Sequence, residues 1–250
     1  MKITRKQWKA YQGKLSSLSK KATDEMLAWI TAQGGYTAVE FEAAIAQMYA
    51  IATRYGEASA AISALMYDTI ADLSGAAVPG AEVASTASLA EVKKAVYGAS
   101  TFSQNDEYIS AIAGRLVKQA GADTTLKNAS RDGAEFAWIP SGDTCAFCEL
   151  LAAEGWQKAS KDTIKGGHAE HIHAGCDCQF MIRFDSETTV EGYKPDPDLY
   201  KDTEGRTMEE KANTIRRENY KRNKDEINAQ KRITYRERTR ELNSSEAEED

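Results

Sequence analysis

All four cysteines and all three histidines of this 250-residue chain lie between Cys145 and Cys178. Cys145-Ala146-Phe147-Cys148 is a Cys-x-x-Cys step, a spacing that lets one tight turn aim two thiolates at a single ion. His173, Cys176 and Cys178 supply a second group of donors further along. Thiolate and imidazole together suit Zn2+, which takes four tetrahedral ligands, and a site closed by four protein ligands is structural. Five donors compete for four places. The favoured set is Cys145, Cys148 and His173 with one of Cys176 and Cys178, and the all-cysteine set is the alternative. Structural zinc contributes about 10–16 kcal/mol in small zinc peptides, where it acts as folding free energy. A thiol redox pair would account for Cys-x-x-Cys but not for the histidine and the second cysteine step. A catalytic zinc needs an open coordination position and a general base, for which Glu149 and Glu170 are the candidates. The expectation is a structural site and no enzymatic activity.

The elements that must position this segment fall into three stretches. Residues 1–132 read as a helical bundle: Trp8, Tyr11, Leu15 and Leu18 recur at helical spacing and the stripe continues to Ile30, where Gly34-Gly35 breaks it. Thr37-Ala38-Val39-Glu40 has a capping-box pattern and is expected to open a second helix running through Ile45, Met48, Ile62 and Ile70. A break is expected around Pro79, a second capping box at Ser88-Leu89-Ala90-Glu91, and a further helix through Ile109, Ile112, Leu116 and Val117. Residues 133–190 read as a zinc-binding Cys/His core, with short antiparallel strands near 134–139 and 180–184 bringing its ends together and a helical turn at 149–153. Residues 191–250 read as a linker, a charged helical arm and an acidic tip. Its prolines discourage helix, and Thr207 to Glu210 is a third capping box. The fold class is therefore α+β, mainly α, with a long charged C-terminal helix.

Composition limits the functions. Net charge is -6 and the sequence pI about 5.3, so no global positive field draws the molecule to nucleic acid. Contact with DNA would be local to the arm, where Arg216, Arg217, Lys221, Arg222 and Lys224 are the candidates for phosphate. The first residues are basic but no apolar segment follows them, which does not fit a secretory signal. No apolar run approaches the roughly 20 residues that span a bilayer, so no membrane partner is expected, nor a small-molecule substrate. A reducing compartment favours metal ligation over disulfides.

Two families share parts of the Cys/His pattern. Glu170-His171-Ile172-His173 is similar to the start of an HNH nuclease motif, but histidine ends at His173 and the next asparagine, Asn213, lies beyond the linker. His168 and His171 then read as loop residues. A fuller likeness joins Trp138, Asp143-Thr144-Cys145-Ala146-Phe147-Cys148, His173-Ala174-Gly175-Cys176-Asp177-Cys178 and the strand Gln179-Phe180-Met181-Ile182. This order resembles the C-terminal core of MuF-like phage head morphogenesis proteins, although members often carry Pro-Asn where Ala174-Gly175 stands and a basic residue in place of Asp177. The resemblance implies a minor capsid protein of a tailed-phage head. Such a protein is associated with the portal, present in the virion in few copies, and made in the host cytoplasm. It implies the portal or major capsid protein as partner, possible contact with packaged DNA, and a role in head assembly or DNA packaging and ejection. The alternative is a zinc-stabilised nucleic-acid-binding protein that uses its charged arm.

Overall fold

The computed structural model describes residues 2–140, 146–160 and 178–196, together with Glu210 and Lys224. A two-residue strand, β1 (Lys2–Ile3), precedes α1 (Arg5–Ala32). The helix begins at Thr4, whose hydroxyl accepts from the Gln7 backbone N–H while the Gln7 side chain accepts from Thr4 N–H, satisfying two donors that the first turn leaves without partners. It ends before Gly34 and Gly35, whose φ values of 90° and 100° lie in the region that favours glycine.

The second helix departs from expectation. Thr37 does not cap it: Tyr36–Ala38 forms a 3-10 turn, and α2 (Phe41–Ser74) starts from Glu40, which makes no side-chain cap. The reason is a distant contact. The Asp106 carboxylate accepts from the Tyr36 backbone N–H at 2.8 Å, anchoring the turn to the start of another helix. The Ser88 capping box does form and opens α3 (Leu89–Phe102). Asn105 caps α4 (Asp106–Asp132), which stops at Gly133.

Helix α4 is the centre of the bundle, packed against α1, α2 and α3. Buried positions occur on every side of it, yet they are mostly small: Ala113, Gly114, Ala120, Gly121, Ala122, Thr124, Thr125 and Ala129. Small side chains let backbones approach. A Cβ on Gly114 would stand 2.8 Å from the Ser19 carbonyl oxygen of α1, and one on Gly121 2.6 Å from Ser59 Oγ of α2. The buried hydroxyls of Thr124 and Thr125 donate to the carbonyls four residues back, which satisfies these two polar groups inside the seam. A second layer of Met26, Ile30, Ile45, Met48, Ile51, Val92, Val96, Ile109 and Val117 fills the space between α1, α2, α3 and α4.

The stretch between α2 and α3 has no regular secondary structure, and side chains hold its backbone groups. Asp68 accepts from Ala81 N–H, Asn128 bonds both the N–H and the carbonyl of Glu82, and Thr124 accepts from Ala84 N–H. Arg131 donates to the carbonyls of Pro79 and Gly80. Backbone polar groups beside a core need such partners.

After α4 come β2 (Glu135–Ile139), α5 (Ala146–Glu154), β3 (Gln157–Lys158), β4 (Gln179–Arg183) and β5 (Thr189–Val190). Strands β3, β2 and β4 form one antiparallel sheet, with β2 in the middle. The expected pairing of the two strands around the Cys/His segment is present, in the register Phe136 to Ile182 and Trp138 to Phe180. Four of the five residues in each of β2 and β4 are buried, so both faces of the sheet are covered. This explains why the alternation in the sequence is loose. One cluster joins Trp8, Tyr67, Ile70, Leu126 and Ala129 of the helices to Phe136, Trp138, Phe180 and Ile182 of the sheet. Strand β5 pairs in parallel with β1, so residues near 190 lie beside the start of α1. Glu191 N–H donates to the Ile3 carbonyl, and its carboxylate accepts from Arg5 N–H.

Candidate metal centre

The register of the sheet sets the residues that flank the Cys/His segment side by side. Ile139, the last residue of β2, pairs with Gln179, the first of β4. The chain leaves β2 after Ile139, contributes α5 and the edge strand β3, and enters β4 at Gln179, so the two ends of the intervening stretch are held side by side. Cys148 lies in the first turn of α5, which packs on β2. Cys148 is 0% and Cys178 2% exposed, and both belong to the cluster that contains Trp138 and Phe180.

The neighbourhood is built from aromatic rings. Trp138 and Phe180, cross-strand partners, meet edge to face with centroids 4.3 Å apart, and Phe136 meets Phe180 at 5.8 Å. Such pairs contribute roughly 0.5–1.5 kcal/mol beyond the area they bury. At the far end of the same ladder, Arg183 pairs with Glu135 at 2.6 Å and lies over the Trp156 ring at 4.4 Å. Tyr193 packs against Trp156 and donates its hydroxyl to the Ala152 carbonyl, tying α5 down. Burial pushes the Tyr193 hydroxyl pKa up, so it remains a donor.

Of the five candidate ligands, Cys148 and Cys178 are therefore placed in one buried cluster, while Cys145, His173 and Cys176 lie outside the described residues. Among the described residues no three His, Cys, Asp or Glu side chains gather around a common point. Two buried thiols on neighbouring segments suit a thiolate-rich zinc set, because a thiolate in an apolar core needs a cation close by. His168, His171 and Glu170 also lie outside the described residues, and Glu149 is partly exposed on α5. In the arm, Arg216, Arg217, Lys221 and Arg222 are outside the described residues, and Lys224 is helical and exposed.

Sequence reasoning did not find the β1–β5 pair, the Thr4 cap, or the link from the end of α4 to the sheet. In that link the Tyr67 hydroxyl donates to Asp132 at 2.7 Å, Arg131 pairs with Asp132, and the Tyr67 ring meets Phe184 edge to face. The Arg131 guanidinium, helped by the Tyr67 hydroxyl, holds the Asp132 carboxyl below the usual carboxylate range.

Among the described residues no helix is long and apolar enough to cross a membrane. No curated protein and no solved structure matches the chain. A family model described as VG15 protein matches residues 2–203, a span that takes in the helical bundle, the sheet and the whole Cys/His segment. The chain belongs to the VG15 protein family, which is phage-related.

Proposed function

We propose that this phage protein is a minor structural component of a tailed-phage head, MuF-like in its Cys/His core, carried beside the portal in few copies and without enzymatic activity of its own. One observation carries the reading. The β2–β4 ladder closes a Cys/His excursion at its base and buries a cysteine from each side in one aromatic cluster, within a chain whose family is phage-related. A closed thiolate site of that kind favours architecture over turnover, since catalytic zinc keeps a ligand position open.

Zn2+ would be held by Cys148 and either or both of Cys176 and Cys178, together with Cys145 and His173. When bound, it would neutralise the buried thiolates and lock the excursion shut. The polypeptide supplies the rest: the ladder sets the distance between the two ends, Trp138 and Phe180 exclude water, and Tyr193 fixes α5. The bundle would present the surface for the portal or the major capsid protein. The arm would lie toward packaged DNA.

The deciding experiment is particle association. Heads are purified by sedimentation from producing cells and their proteins quantified by mass spectrometry. The reading expects this chain at low copy alongside the portal protein. Recovery in the soluble fraction alone would overturn it and leave the DNA-binding arm as the better account.

A further inference from the structure

Helices α3 and α4 flank an open groove of about 910 Å³ on the side of the bundle away from any role assigned above. Five charged side chains line it: Glu91, Lys94, Arg115, Asp123 and Lys127. Both carboxylates are already engaged. Glu91 accepts from the Ser88 backbone N–H and hydroxyl at 2.7 Å each, and Asp123 accepts from the Gln119 amide at 2.9 Å. Lys127 acts electrostatically on both of these carboxylates, whereas Lys94 and Arg115 make no ion pair or side-chain hydrogen bond with any described residue.

Arg115 carries the most weight. It is half-buried, and desolvation lowers its pKa, which marks a guanidinium that has lost water without gaining a carboxylate. Loss of hydration without an opposite charge is unfavourable, and a planar fork of donors is best satisfied by a carboxylate in bidentate contact. Duplex DNA would bring its phosphates to an outer ridge rather than into a cleft between two helices. A flexible acidic polypeptide segment can enter such a cleft.

The chain's own sequence contains an acidic segment. Residues 246–250 read Glu-Ala-Glu-Glu-Asp, and they follow an arm in which basic residues predominate. Forty-nine residues lie between Asp196 and Glu246, enough to span about 70 Å even as helix. Reach therefore does not limit the contact. We propose that the groove between α3 and α4 is the docking site of this chain's own acidic segment, with Arg115 receiving one of its carboxylates and Lys94 and Lys127 flanking it. Docking would fold the charged arm back along the bundle, and displacement of the segment by a stronger acidic competitor would release it. The inference does not depend on the head-protein reading.

Zero-length carbodiimide crosslinking of the full chain tests it, because amide bonds form only between amines and carboxylates already in contact. An equal mixture of 14N- and 15N-labelled protein is treated and the crosslinked peptides are read by mass spectrometry. The expected products join Lys94 or Lys127 to Glu246, Glu248, Glu249 or Asp250 within one isotopic chain. They should fall at least fivefold in Arg115→Gln and on raising salt to 0.5 M. The exposed pair Lys93–Glu42, 2.7 Å apart, is the internal control: its crosslink reports an intact fold in the variant. Absence of the expected products while Lys93–Glu42 forms would overturn the proposal. So would products that join light to heavy chains only, which would make the occupant a second copy, or products indifferent to Arg115→Gln.

Discussion

The helical bundle and the sheet that rests on it are held together by opposite means. Around α4 the buried residues are alanines, glycines, serines and threonines, and cohesion comes from backbones brought close together, as at Gly114 against Ser19 and Gly121 against Ser59. In the sheet, stability comes from a few large rings and two buried thiols: Trp138, Phe136, Phe180, Cys148 and Cys178. Many small contacts spread over long helices tolerate the loss of any one side chain but not the gain of one. A few large contacts behave the other way round. The bundle has a full apolar layer of its own, so the proposed zinc would matter to the sheet and its cysteines and not to the helices.

The largest effect should come from removing the proposed zinc. With excess chelator, hydrogen exchange in β2, α5 and β4 should lose its protection while the helical circular dichroism of the bundle persists, and added Zn2+ should restore it. Unchanged protection would show that the aromatic cluster alone holds the sheet. Next is Trp138→Ala, expected to cost about 3–5 kcal/mol in chemical denaturation through loss of a buried ring. A smaller loss would mean that the cluster repacks and that the rings are less central than their geometry suggests.

At the junction, Asp132→Asn should cost roughly 1.5–3 kcal/mol near neutral pH, the range for hydrogen bonds to a charged group. The sign with pH follows from the direction of its shift. The folded carboxyl is held below its unfolded value of about 3.9. Its contribution is then fully present above that value and lost as pH falls through the folded pKa. The gap between wild type and variant should close in acid, and a gap constant from pH 7 to pH 2 would refute this account.

The smallest effects discriminate most directly. Gly114→Ala adds a methyl where the Ser19 carbonyl stands. Overpacking of about 1–3 kcal/mol, less about 1 kcal/mol gained in helix propensity, leaves a net loss of up to roughly 2 kcal/mol in a thermal melt. Gly13→Ala, on the same α1 but with nothing within 4 Å of the new carbon, should stabilise by up to about 1 kcal/mol. Equal signs for the two would contradict a close-packed seam.

Much of this organisation was legible in the residues. The Ser88 box, the Gly34-Gly35 stop, the strand after α4 and its partner after Cys178 are local signals, and each is where the sequence places it. The Thr37 box is as good a pattern as the Ser88 box, but the Asp106 carboxylate, seventy positions away, reaches Tyr36 first. Local chemistry cannot register that competition. The β1–β5 ladder is two residues long and joins Lys2 to Thr189 and Ile3 to Val190, positions 187 apart, so no periodicity announces it. The abundance of alanine resolves into the seam around α4. For the proposed metal site, spacing names five donors, and the structure places two of them, Cys148 and Cys178, in one buried cluster.

The parallel pairing of β1 with β5 has a mechanical consequence. The strand that enters α1 and the strand after which the chain departs toward the arm run in the same direction, side by side. A pull on the chain beyond Glu191, opposed by an anchor on the polypeptide before Ile3, loads that short ladder in shear. Its hydrogen bonds, with those of Glu191 to Ile3 and Arg5, then share the force instead of opening one after another. Traction on the arm would be borne by that ladder and by the Glu191 contacts at the start of α1, and the cysteine-bearing excursion would be spared the strain.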